Sequence, residues 1–299
     1  MFRRSLLAAP ALLLAPRTGH AQSPPESAPP RLAVVASFSI LAEMVAHVGG
    51  EAVALTSLVG PDQQISSFRP HRVDRAALKP AALLVENGLG LEAWLPRLRH
   101  ASGFSGNSVV ASALIQPRTM PHGTQTVPDP RAWQDPRNGV LYIHSIAQAL
   151  AALVPAAASA IHDRAETYAG RVAQLDSALA QLFSEIPEPR RHLVSIGDTM
   201  GYFAARYGVA IRALPLGEAT PSPRQLEQFA HEAQQDGARA ILVDPLCDPR
   251  IAEQLSRRTG IALSGPIYTD ALSAPGGPAT TYLDLLRTNA QTIARAIQA

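Results

Sequence analysis

The 299-residue chain has one cysteine, Cys247, so no internal disulfide can form. Charge is sparse: charged residues make up 17% of the chain and the formal net charge is +2. No basic run follows the first few residues, which argues against a nucleic-acid partner. The apolar run Ser5 to Leu14 is far below the ~20 residues that span a bilayer. The Gly-x-Ser-x-Gly, His-Glu-x-x-His and Gly-rich phosphate-loop patterns are all absent. Ser66 and His71 could be imagined as a nucleophile and base, but nothing supplies an orienting acid or an oxyanion hole. The chain therefore reads as a non-enzyme.

What is present is a globular composition, 46% hydrophobic, with length for roughly two domains. The N-terminus has the form of an export signal over residues 1–21. Arg3 and Arg4 precede the apolar run, and Gly19-His20-Ala21 offers small residues before a cut at Gln22. Arg3-Arg4-Ser5-Leu6-Leu7 suits either the general secretory route or the twin-arginine route. No cysteine stands at the cleavage site, so a lipid anchor is not indicated. Residues 22–31, rich in Pro and Ser, read as a disordered leader. The mature protein is expected in the periplasm, soluble and peripheral to the membrane.

Short apolar runs alternate with amphipathic stretches. Leu32–Ala36, Val53–Val59, Ala82–Val85 and Val109–Leu114 read as strands or strand-like runs, with helices at Ile40–Val48, Val73–Leu78 and Leu91–Arg99. The second half repeats the style. Leu193–Ile196, Ala210–Leu214 and Ala240–Val243 read as strands, and helices as Met200–Tyr207, Leu226–Gln235, Ile251–Arg258 and Tyr282–Ile297. This alternation predicts α/β lobes with mainly parallel sheets, one over residues 31–150 and one over 190–298. Between them, Ile161, Ala165, Tyr168, Val172, Leu175, Leu179, Leu182 and Ile186 form one apolar stripe. The stripe predicts a single helix over 156–186, about 45 Å long at 1.5 Å per residue. It could join the lobes as a rigid link or serve as a long core helix within one of them.

Six segments, in consistent order, together resemble one family. They are Val35-Ala36-Ser37-Phe38-Ser39-Ile40-Leu41, then Leu58-Val59-Gly60-Pro61 with Phe68-Arg69-Pro70, and Glu86-Asn87-Gly88-Leu89-Gly90-Leu91-Glu92. Asp129-Pro130-Arg131-Ala132-Trp133, Asp198-Thr199-Met200-Gly201-Tyr202-Phe203 and Tyr268-Thr269-Asp270-Ala271-Leu272-Ser273 follow. The chain resembles the periplasmic zinc/manganese-binding proteins of ABC transporters. The resemblance implies two α/β lobes joined by a long helix, with a ligand cleft between them. It also implies capture of zinc or manganese and delivery to a membrane permease, with no chemistry performed.

The family's ligands are three histidines, or two and a carboxylate, plus an aspartate. Carried over position by position, the histidines correspond here to Ser66, Arg131 and Gly197, and the aspartate to Asp270. Only Asp270 keeps a ligand. A transition metal needs about four convergent donors. Arg131 offers no lone pair and repels a cation. His71 is the local candidate for a replacement ligand, while Asp198 suits a helix N-cap. The resemblance thus leaves two readings. One is a metal-binding component with a rearranged site at Asp270 and His71. The other is a binding-protein scaffold without transition metal, whose cleft, lined by Ser66, Arg131, Gly197, Asp198 and Asp270, holds an anionic ligand or an internal Arg131–Asp270 pair. The chain is expected to act as a monomer.

Overall fold

The structure is a computed structural model that describes residues 30–123, 125–215 and 221–299. The expected signal, and the leader up to residue 29, lie outside the described residues.

The first lobe is built on a four-stranded parallel sheet in the order β2-β1-β3-β4. Its strands are β1 (Leu32–Phe38), β2 (Val53–Val59), β3 (Leu83–Glu86) and β4 (Asn107–Val110). Val34 to Phe38 of β1 are buried on both faces, as a central parallel strand requires when helices cover both sides. One face is covered by α1 (Ser39–Gly49), which buries Ile40, Leu41, Met44, Val45 and Val48 at helical spacing. The helices α2 (Arg72–Leu78) and α3 (Leu95–Ser102) cover the other face through Leu78, Leu95 and Leu98.

The turn between β3 and α3 is held by a buried carboxylate. Glu92 accepts from Ser37 Oγ at 2.7 Å and from the backbone N–H groups of Asn87 at 2.7 Å and Gly88 at 3.2 Å. This is the Asn87-to-Glu92 segment singled out in the sequence. The turn occupies Leu91 to Trp94, so α3 begins four residues later than the sequence predicts. The strand expected over Val109–Leu114 ends at Val110 and continues as a short 3-10 turn. The stretch before Asp129 is an antiparallel hairpin of β5 (Thr119–His122) and β6 (Gln125–Pro128).

From this lobe α4 (Pro136–Leu153) leads into α5 (Ala158–Ser184), the predicted long helix. Its apolar stripe is divided between two cores. Ile161, Ala165, Tyr168 and Val172 pack into the first lobe, and Leu179 and Phe183 into the second. That division settles the choice left open by the stripe: α5 is a link between lobes.

The second lobe has another four-stranded parallel sheet, in the order β10-β9-β7-β8. Its strands are β7 (His192–Ile196), β8 (Ala210–Leu214), β9 (Ala240–Leu242) and β10 (Ala262–Ser264). The helices are α6 (Gly201–Tyr207), α7 (Pro223–Gln235), α8 (Pro249–Thr259) and α9 (Tyr282–Gln298). The N-terminal part of α9 crosses back, burying Tyr282, Leu285 and Leu286 in the first lobe's core. The two lobes are therefore tied by α5 and by α9. Among the described residues no helix is long and apolar enough to cross a membrane.

Candidate functional site between the lobes

The segment after β6 and the segment before α9 meet in the cleft. Trp133 Nε1 donates to the Thr269 carbonyl at 3.0 Å, and Gln134 Nε2 donates to the same oxygen at 2.9 Å. On the far side, the Leu272 N–H donates to Ser39 Oγ at 3.0 Å. These bonds fix Asp129–Gln134 and Thr269–Leu272 as one rigid seam.

Arg131 and Asp270 face each other across this seam. Arg131 Nε donates to Asp270 Oδ1 at 2.7 Å and Nη2 donates to Oδ2 at 2.9 Å. The side chains are 14% and 6% exposed, so the planar two-bond contact is largely removed from water. Burial works against the Arg131 charge. The attraction and hydrogen bonds of Asp270 outweigh it, and the guanidinium pKa stands above its ordinary value.

A second pair lies beside the first. Asp129 is fully buried, and Arg118 Nη1 donates to its Oδ2 at 2.7 Å. Its Oδ1 accepts the Arg131 N–H at 3.0 Å. One carboxylate thus joins both arginines. Burial raises the Asp129 pKa despite its partners. Arg118 and Asp129 sit at the two ends of the β5–β6 hairpin and both are tied to Tyr202 of α6. The Tyr202 hydroxyl accepts the Arg118 N–H at 3.0 Å and donates to the Asp129 carbonyl at 3.1 Å. The Arg118 guanidinium also lies 5.7 Å from the Tyr202 ring centre.

Two more carboxylates belong to this neighbourhood. Asp198 is part-exposed, 3.9 Å from Arg118 Nη1. It does not cap α6, because the cap position falls at Met200. Asp244, just past β9, accepts the Thr269 hydroxyl at 2.5 Å and the Leu246 N–H at 2.8 Å, and burial raises its pKa. Cys247, the free thiol, is pushed up to about 11 by burial, then by the Asp244 and Asp270 charges. The cluster therefore sets four carboxylates against two guanidinium groups.

The remaining positions picked from the sequence are placed differently. Ser66 is exposed in the loop after β2. His71 is exposed at the N-cap of α2, where its N–H donates to Asp74 Oδ2 at 2.6 Å. Gly197 is buried at the end of β7 with φ at 88°, a region that side-chain-bearing residues rarely adopt. Among the described residues no group of three or more His, Cys, Asp or Glu converges to hold a metal ion. Arg118, Tyr202 and Asp244 were not singled out as site residues from the sequence. The only signal for Arg118 is its place at the base of a hairpin that the sequence does not reveal.

With this geometry in hand, comparison with known proteins is informative. The family model described as "Zinc-uptake complex component A periplasmic" matches residues 34–296. The iron-binding protein YfeA of Yersinia pestis is 28% identical over 278 residues, covering 92% of this chain and 89% of that protein. The manganese-binding lipoprotein MntA of Halalkalibacterium halodurans is 28% identical over 266 residues, 87% of each. Among solved structures, a manganese-bound periplasmic metal-binding protein from Candidatus Liberibacter asiaticus (a Y68F mutant) superposes with a TM-score of 0.81 at 25% identity. It covers 89% of this chain and 100% of that one. The periplasmic zinc-binding protein TroA of Treponema pallidum shares the fold, with a TM-score of 0.83 at 22% identity over 90% of this chain and 99% of that one.

Proposed function

The chain belongs to the zinc-uptake complex component A family of periplasmic proteins, and on that premise we propose that it is an extracytoplasmic solute-binding component of an ABC transporter whose cleft cation is the Arg131 guanidinium in place of a transition metal. It performs no catalysis, acts as a monomer after export and removal of residues 1–21, and works with separate permease and ATPase chains. The single observation that carries the reading is the buried two-bond pair of Arg131 with Asp270. Asp270 is the one family ligand position that keeps a donor, and both its oxygens are engaged by a permanent cation. A divalent ion would have to displace that guanidinium and then find three more donors.

Charge balance favours the internal pair over an anionic ligand. Each guanidinium already has a carboxylate, and Asp198 lies beside them as a further one. An incoming anion would meet excess carboxylate.

Titration calorimetry of the exported protein in chelator-buffered zinc and manganese tests the reading. The expected outcome is no binding in the nanomolar range. Nanomolar affinity for either metal would overturn it and direct attention to His71 and Asp198 as replacement ligands.

A further inference from the structure

The layer of α2 and α3 carries a charge that the cleft does not use. Between residues 69 and 100 the chain has Arg69, Arg72, Arg75, Lys79, Arg97 and Arg99 against Asp74, Glu86 and Glu92. The carboxylates are already engaged. Glu86 is 3.3 Å from Arg99, Glu92 is buried in the β3–α3 turn, and Asp74 accepts the His71 N–H. Among the described residues, Arg69, Arg72, Arg75, Lys79 and Arg97 enter no ion pair within 4.0 Å. All five are exposed. The whole molecule has a formal charge of only +2, so this face concentrates positive charge that the rest of the surface offsets.

The arrangement is local and one-sided. Arg72, Arg75 and Lys79 are spaced three and four apart, which aligns them on one side of α2. Leu78, the buried residue of α2, anchors the helix in the core beneath. Val73, 71% exposed, projects from the same helix and is the most exposed of the large hydrophobic side chains among the described residues. Two cavities lie elsewhere, at the ends of β7 and β9 and along α6 and β8 beside Arg118.

The geometry points to a docking face for an anionic bilayer surface, with Arg69, Arg72, Arg75, Lys79 and Arg97 reading lipid phosphate. A bilayer presents dense negative charge without fixed shape, which long, exposed, unpaired basic side chains can match. A specific protein contact would call for an apolar centre with a charged rim, whereas this face is made of exposed basic side chains. The inference rests on the extracytoplasmic reading above, since export would bring the protein to a membrane surface.

Protein purified from the extracytoplasmic fraction is sedimented with vesicles of phosphatidylcholine alone and of phosphatidylcholine with phosphatidylglycerol at about 3:1. The expected result is a bound fraction at least about tenfold higher on the anionic vesicles, lost at about 0.5 M salt. The triple variant R72E/R75E/K79E should bind both vesicles equally. If it does not fold, the neutral R72Q/R75Q/K79Q variant and the salt titration of the unaltered protein carry the test. Equal binding of the unaltered protein to both vesicles, or undiminished binding by a folded variant, overturns the inference. So does association seen only with the detergent-solubilised transporter, which would assign the face to a protein partner. Absence from the extracytoplasmic fraction would instead defeat the transport reading, and recombinant protein would still decide the vesicle question.

Discussion

The guanidinium of Arg118 fills the space that a β-carbon on Gly201 would need: a methyl built there would stand 1.2 Å from Nη1 and 2.2 Å from Cζ. The absence of a side chain at residue 201 is what lets an arginine at the base of the β5–β6 hairpin reach the buried Asp129. Gly201→Ala should push the guanidinium aside and leave that carboxylate short of its cation. Arg118 is one-third exposed, so water offsets part of the loss, and a cost of about 1–3 kcal/mol is expected. Urea denaturation measures it. Arg118→Ala and Gly201→Ala should be less than additive, because each removes the same contact. Full additivity would mean that Gly201 matters for another reason.

Arg131 and Asp270 make the stronger test. Arg131→Ala leaves Asp270, 6% exposed, without its partner, and should cost about 3–5 kcal/mol. Asp270→Ala should cost a similar amount by stranding the guanidinium. The double variant should recover part of the sum. Two small, additive effects would show that the pair contributes nothing to holding the lobes.

Much of the frame was legible because it obeys periodicity. The stripe from Ile161 to Ile186 predicts α5 within two residues at each end, since an amphipathic helix must repeat its apolar face. The strands β1, β2, β7 and β8 were readable as apolar runs between turn residues. The hairpin was not. Its strands, Thr119–His122 and Gln125–Pro128, contain Pro and Thr and no alternating apolar run, and the residues at its ends, Arg118 and Asp129, are tied to Tyr202. Arg131 and Asp270 stand out in the sequence because the resemblance implies ligands at both positions and one of them is a cation. Arg118 carried no such oddity, because its partners, Asp129 and Gly201, are far from it in sequence.

Stability should increase as pH falls from about 8 towards about 6.5 through the raised pKa of His47, and further as the buried carboxylates protonate. Burial raises the pKa values of Glu92, Asp129 and Asp244 above their ordinary values. For an acid with a raised folded pKa, the stabilisation is fully present below the unfolded pKa and is lost as pH rises through the folded one. His47 acts in the same direction. Its hydrogen bond to Glu43 raises its pKa against the opposing effect of burial, so its contribution fades as pH rises through the folded value. Thermal melts across this range should show a higher midpoint on the acid side. In His47→Gln the dependence above pH ~6.5 should flatten. A midpoint that falls steadily from pH ~8 to ~6.5 would contradict the raised pKa of His47.

The backbone at Gly197 bears on whether the ligand set that the resemblance implies could be built into this chain. Asp270 is in place, Arg131 could be exchanged for histidine, and Ser66 is exposed and free to change. Gly197 is different. Its φ of 88° is fixed from both sides: its N–H donates to the Leu214 carbonyl at 2.8 Å and its own carbonyl accepts Ser195 Oγ at 2.8 Å. A β-carbon at positive φ is strained, so Gly197→His should cost about 1–3 kcal/mol before any metal is bound. To place an imidazole in the cleft, the end of β7 would also have to abandon those two bonds. The variant S66H/R131H/G197H is therefore expected to be less stable than the parent and to stay outside the nanomolar range for zinc and manganese. S66H/R131H, which leaves Gly197 alone, should keep more stability while offering at most three donors with Asp270. Calorimetry and urea denaturation of both variants separate the two effects. Nanomolar zinc binding by the triple variant with undiminished stability would mean that the turn after β7 adapts freely, and that side chains alone separate this cleft from the ligand set the resemblance implies.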